Sequence, residues 1–493
     1  MNDPSAPVPA RPGLLRNWIS LAGTVLAFSA FFAFVLLFAV DLLAHHGNPY
    51  MGILAYVVAP GFLLLGLGLV AFGFWLQRRR LRRLAPGQEA PHLTIDLGRP
   101  ADQRRLLAFT LGSAAFLMLT AFGSFQTYHF SESVLFCGQV CHTPMKPEFT
   151  THQISPHARV DCVRCHVGSG ATGYLKAKFN GVHQLVGVLT GRYQRPIPPP
   201  AHPVPASETC ENCHWSDRHV GWKEKTFTHF LADETNTAFS VVLNLHVGGA
   251  GVRGQPAGGI HWHMNLATRV EYVSAGPGRE NIPWVRLTDA AGQVTEFRSP
   301  DFKDAVDPAA IRRMDCTDCH NRPAHQFPSA NASVDLALSA GRINPRIPWV
   351  KSNLVEVLTA PYATEPEALA RIGDQLRTRY AGRPELESLV GEAHRIFSQG
   401  FFPEMKSDWR AYPDHLSHKD SAGCFRCHDG RHKTADGRRT LGASDCNSCH
   451  RIVAQGAGEE LKKFNPEGHG FFHLDGEYSD FDCHHCHTGA FPK

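Results

Sequence analysis

Fourteen cysteines fall into seven pairs, and a histidine follows every pair at once. Six of the pairs read C-x-x-C-H: Cys162/Cys165/His166, Cys210/Cys213/His214, Cys316/Cys319/His320, Cys424/Cys427/His428, Cys446/Cys449/His450 and Cys483/Cys486/His487. The first pair in the chain is one residue longer, Cys137-Gly-Gln-Val-Cys141-His142. This spacing lets two thiols reach the two vinyl groups of one porphyrin while the next residue sets an imidazole over the iron. It predicts seven haem c groups, each held by its two cysteines, with the motif histidine as first axial ligand. Zinc is the competing reading, but zinc sites close with further Cys or His at finger-like spacings, and no C-x-x-C here lacks its trailing His. A disulfide framework would leave seven adjacent histidines without a role. Seven porphyrins then make up much of the core. The chain around the motifs is therefore expected to be loop-rich, in a protein that is otherwise mainly α.

Three long uncharged runs precede the motifs, at residues 20–40, 51–76 and 106–125. A membrane span needs about 20 apolar residues, and all three reach that length. The first exceeds the apolar stretch of a signal peptide, and no small-x-small cleavage site follows it, so it reads as a retained anchor. Arg11 and Arg16 precede the first run, Arg78, Arg79, Arg80, Arg82 and Arg83 follow the second, and Arg104 and Arg105 precede the third. Residues 45–50, between the first two runs, carry no Lys or Arg. Positive loops stay in the cytoplasm. This predicts three N-terminal transmembrane helices, a cytoplasmic N-terminus, and all seven motifs on the periplasmic side of a bacterial inner membrane. A net charge of +4 makes no electrostatic case for nucleic acid.

The motif spacing then organises the chain. Residues 1–129 read as the membrane anchor and 130–220 as a three-haem module. Residues 221–312 contain no motif, and their β-branched runs at 240–247, 269–274 and 282–287, separated by Gly-rich turns, read as a small β-insert. The insert also holds His261-Trp262-His263, a segment able to supply an iron ligand. Residues 313–410 hold the fourth motif and a spacer with helical periodicity at 365–380 and 385–397. Residues 411–493 crowd in the last three motifs.

Around the first three motifs the residues run Cys137-Gly-Gln-Val-Cys141-His142-Thr-Pro-Met145-Lys-Pro-Glu-Phe149, then Ser155-Pro-His157-Ala-Arg-Val-Asp-Cys162-Val-Arg-Cys165-His166-Val-Gly168, then Glu208-Thr-Cys210-Glu-Asn-Cys213-His214-Trp215. This stretch, about residues 106–216, resembles the NapC/NirT family of membrane-anchored tetrahaem quinol dehydrogenases. Asp315-Cys316-Thr-Asp-Cys319-His320-Asn-Arg-Pro-Ala-His325 and Gly423-Cys424-Phe-Arg-Cys427-His428-Asp-Gly-Arg-His432 resemble larger seven-haem relatives in the inner membrane of metal-respiring bacteria. Two departures stand out. Tetrahaem members have one span where three are expected here, and the first motif has three residues between its cysteines, a feature of the larger relatives. The resemblance implies a first haem at the membrane surface without a strong distal ligand, and quinol bound beside it. It implies that a Met after the motif can take the proximal place. Met145 stands there, although His142 remains the first choice. A Lys and an acid after the second motif serve the quinol in that family. Lys176 or Lys178 matches the Lys and His183 stands about where the acid would be, so the proton acceptor stays open.

Electron-transfer haems usually take a second axial ligand, often His. The chain has 29 His, of which seven are motif residues. Those nearest a motif or a family-like segment are His157, His229, His263, His325, His418, His432 and His473. The resemblance implies His157 as the distal ligand of another haem in its cluster. The alternative for each is a hydrogen-bonded surface histidine. Together these features predict a membrane-bound heptahaem cytochrome c. It would oxidise membrane quinol, expected to be menaquinol, at the Cys137/Cys141 haem and deliver electrons to a periplasmic cytochrome or reductase. A non-enzymatic conduit subunit, docked to other membrane subunits through the first two spans, is the second reading. A terminal reductase is the third, and motifs that all end in His argue against it.

Overall fold

The computed structural model describes residues 17–43, 58–83, 96–140, 142–168, 170–200, 203–214, 221–249, 258–442, 446–474, 476 and 482–490. Cys141, residues 44–57 (the expected loop at 45–50 and the start of the second apolar run), residues 84–95 within the expected loop at 77–105, and the side chains of His142, Lys178 and Cys446 lie outside that description. Two compact units emerge: Met1–Ser131 with Val167–Val182, and Glu132–His166 with His183–Lys493.

The first unit is helical. Helices α1 (Trp18–Leu43) and α2 (Ala59–Leu81) are apolar all round, as a lipid-facing helix must be. Among the described residues, Trp18–Val35 and Ala59–Leu81 are long and apolar enough to cross a membrane. At 23 residues α2 reaches about 34 Å. The two helices pack through small residues. A Cβ added at Gly66 would lie 2.6 Å from the backbone nitrogen of Ala27, and one at Gly23 would lie 2.6 Å from the carbonyl oxygen of Gly66. Asn17 caps α1 by accepting from the Ser20 N–H (2.8 Å), and its own amide donates to Gly73 O (3.2 Å) on α2. Large apolar side chains such as Phe28, Phe32 and Leu64 remain exposed. Helix α3 (Pro100–Glu132) carries the third apolar run within 33 continuous residues. Leu107, Leu111, Met118 and Phe122 on it are exposed.

The second unit begins with a single π-helical turn, Phe136–Val140, and α4 (His142–Gln153), followed by the short α5 (Val163–His166). Helix α6 (Gly170–Leu189) carries Lys176 and Lys178 in its part belonging to the first unit and His183 in its part belonging to the second. The β-rich region is larger than the three expected strands. It has β1 (Trp222–Phe230), β2 (Ala238–His246), β3 (Arg269–Ala275), β4 (Asn281–Thr288), β5 (Val294–Arg298) and β6 (Arg312–Arg313). They form two sheets rather than one. One has the order β5-β4-β3-β6. The other has the order β1-β2-β7, where β7 (His450–Gly456) comes from the far end of the chain. His450, the sixth motif histidine, opens β7 and pairs with Leu245. Just before it, Cys449 O accepts from the His246 N–H (2.8 Å) at the end of β2. The insert is therefore closed by a motif strand, a long-range pairing that no local pattern announces.

The fourth motif forms α7 (Cys316–Cys319), and the spacer then folds as four helices: α8 (Ala330–Ser339), α9 (Val350–Thr359), α10 (Glu365–Arg379) and α11 (Leu386–Gly400). Both helices expected from periodicity are present, and α8 and α9 join them. Helix α10 starts on a Thr364 cap that accepts from the Glu367 N–H, with acids in its first turn and Arg377 and Arg379 in its last. These helices enclose the largest apolar cluster, from Phe327 to Tyr412, including Val334, Leu354, Ile372, Leu376 and Phe397.

Candidate haem-attachment sites

Five of the motifs are tight turns in which the backbone N–H of the histidine reaches back to the first cysteine: His166 to Cys162 O (3.0 Å), His214 to Cys210 O (2.8 Å), His320 to Cys316 O (2.9 Å), His428 to Cys424 O (3.1 Å) and His487 to Cys483 O (2.8 Å). Among the described residues, the one group of three metal-competent side chains whose ligand atoms converge is Asp482, His484 and His485, not any motif's own Cys-Cys-His set. A closed zinc site requires such convergence. Two sulfurs and an imidazole spread around a flat group do not. The donor set fits haem.

The polypeptide itself leaves Cys165, Cys213, Cys424, Cys449 and Cys486 exposed. Four of these are the second cysteine of their pair. Cys213 and Cys486 cap one-turn 3-10 helices, and Cys449 directly follows another, Cys446–Ser448. A single turn has no face wide enough to pack against a neighbour, so the residue at its end projects outward. The first cysteines Cys137, Cys162, Cys210, Cys316 and Cys483 are half-buried.

A second histidine ring faces each of the six motif histidines whose side chains are described. His157 lies 5.9 Å from His214, His325 lies 6.2 Å from His166, and His261 lies 6.4 Å from His320, centroid to centroid. His263 lies 5.9 Å from His428, His418 lies 6.2 Å from His450, and His473 lies 6.0 Å from His487. Two imidazoles on opposite sides of one metal, each nitrogen about 2 Å from it, put the ring centroids roughly 6 Å apart. The planes cross at angles from 12° to 87°. Rotation about a shared axis leaves that angle free, so the common separation is the informative quantity. Any single pair at this range resembles ordinary ring contact; six, each matching one motif histidine with one other, do not.

The electrostatics favour neutral rings, as a metal ligand must be. Burial, with the Arg322 guanidinium beside it, pushes His325 down to about 3 and also lowers His166. Burial likewise lowers His418, His428, His450 and His487. Tautomers are set by backbone. His157 Nδ1 donates to Pro323 O (3.1 Å) and His263 Nδ1 donates to Ile260 O (2.8 Å), which leaves the lone pair on Nε2. His418 and His450 bury an Nδ1 with no hydrogen-bond partner. Several thiols lie in surroundings hostile to thiolate. Burial pushes Cys319 to about 11 and Cys427 to about 12, each raised further by the other motif's sulfur. A thioether, which carries no charge, is indifferent to this.

One expected ligand has both ring nitrogens engaged, and another has Nδ1 engaged with no motif ring described against it. His432 is buried with both nitrogens engaged, Nδ1 with Asp429 (2.8 Å) and Nε2 donating to Ile282 O (2.7 Å). His229 turns Nδ1 to Asp335 (3.1 Å). His261, from the same segment as His263, faces His320 instead. Its signal was the H-x-H spacing. The first motif lines a cleft of about 370 Å³ with Phe402, Glu404 and Met405 on the opposite wall. Met145 is half-buried, and Lys146 on the same helix pairs with Glu365. Lys176 and His183 are exposed.

A curated protein of Geobacter sulfurreducens, the cytochrome c-type protein ImcH, is 37% identical to the chain over 497 residues, spanning 97% of the chain and 96% of that relative. No protein-family model and no solved structure matches. At that identity, over nearly the whole of both sequences, the chain belongs to the c-type cytochrome family of ImcH.

Proposed function

We propose that the chain is a membrane-anchored heptahaem cytochrome c that oxidises quinol of the membrane pool, with menaquinol as the expected donor, and passes the electrons to a periplasmic acceptor. The observation that carries this reading is the second histidine about 6 Å from every described motif histidine. Haem, when bound, supplies one-electron carriers held at fixed positions. The fourteen motif cysteines hold the seven groups, and His142, His166, His214, His320, His428, His450 and His487 are the proximal ligands. His325, His157, His263, His418 and His473 are the distal ligands for the second, third, fifth, sixth and seventh motifs. His432 is withdrawn from that set because both of its ring nitrogens are engaged, by Asp429 and by Ile282 O, whereas His229, bonded to Asp335 through Nδ1 alone, stays a candidate.

Three spans anchor the chain, with the N-terminus cytoplasmic and the haem domain periplasmic. Support comes from two apolar helices, from exposed apolar side chains on a third, and from Arg78, Arg79 and Arg80 in the last turn of α2. Electrons enter at the Cys137/Cys141 motif, where Met145 is the alternative to His142 as iron ligand. Lys176, which groups with the apolar helices, holds a quinol oxygen through Nζ. The exposed His183 ring is the proton acceptor. Lys178 is the alternative to Lys176.

The test uses the purified full chain. Intact mass should report seven attached haems, and a menaquinol analogue should reduce them. K176A/K178A should slow that reduction severalfold with haem content unchanged. Failure of the wild type to accept electrons from the analogue sinks the dehydrogenase reading and leaves the conduit reading, in which other membrane subunits deliver the electrons.

A further inference from the structure

The β-rich detour between the third and fourth motifs holds no cysteine of its own. Among its contacts with the motifs is one short 3-10 turn, Ile260–Met264. With about three residues per turn, positions two apart are rotated by roughly 240° and project to different sides. His261 and His263 are such a pair. The His261 ring faces His320 of the fourth motif at 6.4 Å, and the His263 ring faces His428 of the fifth at 5.9 Å. Trp262, between them, packs on the sheet's apolar cluster of Val270, Tyr272, Ile282, Val285 and Phe297.

The turn is locked in place. Gly259 enters it with φ +61°, and a Cβ there would lie 2.3 Å from His246 O. Gly248 has φ +69°, and a Cβ on it would lie 1.7 Å from Gly258 O. Only glycine permits these approaches. The two motifs are also tied to each other and to the same sheet. Asp318, inside the fourth motif, accepts from Tyr272 Oη (2.5 Å) and Arg279 Nη1 (2.6 Å). Arg426, inside the fifth, donates to Asp318 O and Arg279 O, both at 2.7 Å.

We propose that this turn is a double strut, with His261 the distal ligand of the iron held by His320 and His263 that of the iron held by His428. The β-insert is then the scaffold that fixes two neighbouring haems through one five-residue turn. The proposal rests on the haem reading above, which the wild type tests separately through covalent haem content and intact mass.

H261A, H263A and the double variant of the full chain should keep wild-type haem content. In the ferric state each single variant should convert one low-spin haem to high spin by electron paramagnetic resonance. In the ferrous state each should open one carbon monoxide site beyond the wild-type number, and the double variant should open two. Added imidazole should restore the low-spin signal. Should a variant lose haem, growth with imidazole restores its content if the ring alone was missing. Unchanged low-spin signal in H261A, equal carbon monoxide binding in the single and double variants, or haem loss that imidazole does not repair overturns the double strut. Wild type without covalent haem overturns the parent reading instead.

Discussion

At the scale of single residues, a histidine's second nitrogen decides its role. His157 and His432 both sit close to a motif, and spacing alone does not separate them. His157 spends Nδ1 on a carbonyl and keeps Nε2, while His432 spends both nitrogens. H157A should therefore open one haem to carbon monoxide. H432A should lower the thermal midpoint and leave the low-spin count intact, and a new carbon monoxide site in H432A would refute that division. Asp335 makes a stability prediction. It is buried and accepts from Lys351 Nζ (2.6 Å), the Phe230 N–H (3.0 Å) and His229 Nδ1 (3.1 Å). Burial works to raise its pKa, but the bonds from His229 and Lys351 outweigh it and the net shift is downward. A carboxylate lowered in the folded state contributes stability above its unfolded value of about 3.9, and loses it as pH falls through the folded value. D335N leaves Lys351, 2% exposed, without its counter-charge. It should cost about 3–5 kcal/mol at pH 7 and flatten the loss of stability below about pH 4. Denaturant unfolding at pH 7 and pH 3 measures both, and equal stability of variant and parent at pH 7 would contradict the assignment.

Among the elements, those that bury one face locally were legible and those completed from afar were not. Helices α10 and α11 announce themselves through amphipathic periodicity and, in α10, a Thr364 cap. Helix α9 is amphipathic too but short and uncapped. It starts at Trp349 with φ +59° and no side-chain cap, and it buries Lys351 among its apolar residues. Strands β2, β3 and β4 were visible as alternating runs, but the partner that closes the β1-β2 sheet is β7, some two hundred residues onward. The fit of α1 to α2 is an element-level feature with a sharp test. A Cβ at Gly66 meets Ala27 backbone at 2.6 Å, whereas one at Gly68 meets nothing within 4 Å. Small residues at such crossings let apolar helices approach where burial from water gives no drive. G66L should lower the thermal midpoint of detergent-solubilised protein by several degrees while G68L leaves it unchanged. Equal behaviour of the two would show that α1 and α2 do not hold together through this contact.

Across the whole molecule, the motifs touch in the order in which they occur in the chain. Cys137 hydrogen-bonds Cys162 and raises it, Cys165 feels Cys210 and Cys213, Cys210 raises Cys316, and Cys319 lies near Cys424 and Cys427. His418, facing His450 of the sixth motif, also stacks on Phe425 inside the fifth at 4.5 Å. His418 in turn feels His484 inside the seventh. The unequal gaps between motifs follow from this, since the β-insert and the helical spacer loop out between motifs that remain neighbours. Motif count and thiol spacing were readable in the sequence, but adjacency was not, because it depends on where those two inserts return the chain. Sulfurs that approach one another bring the edges of their attached groups together, so the proposed function implies a single file with its entry at Cys137/Cys141. Removing the fifth member should cut the file. C424A/C427A should carry six haems by intact mass, and a menaquinol analogue should rapidly reduce the four before the break and leave the two beyond it slow. Dithionite, which reaches every haem directly, should reduce all six. Fast and complete reduction of the variant by quinol would mean that electrons reach the sixth and seventh motifs by another route, and the linear order would fail with it.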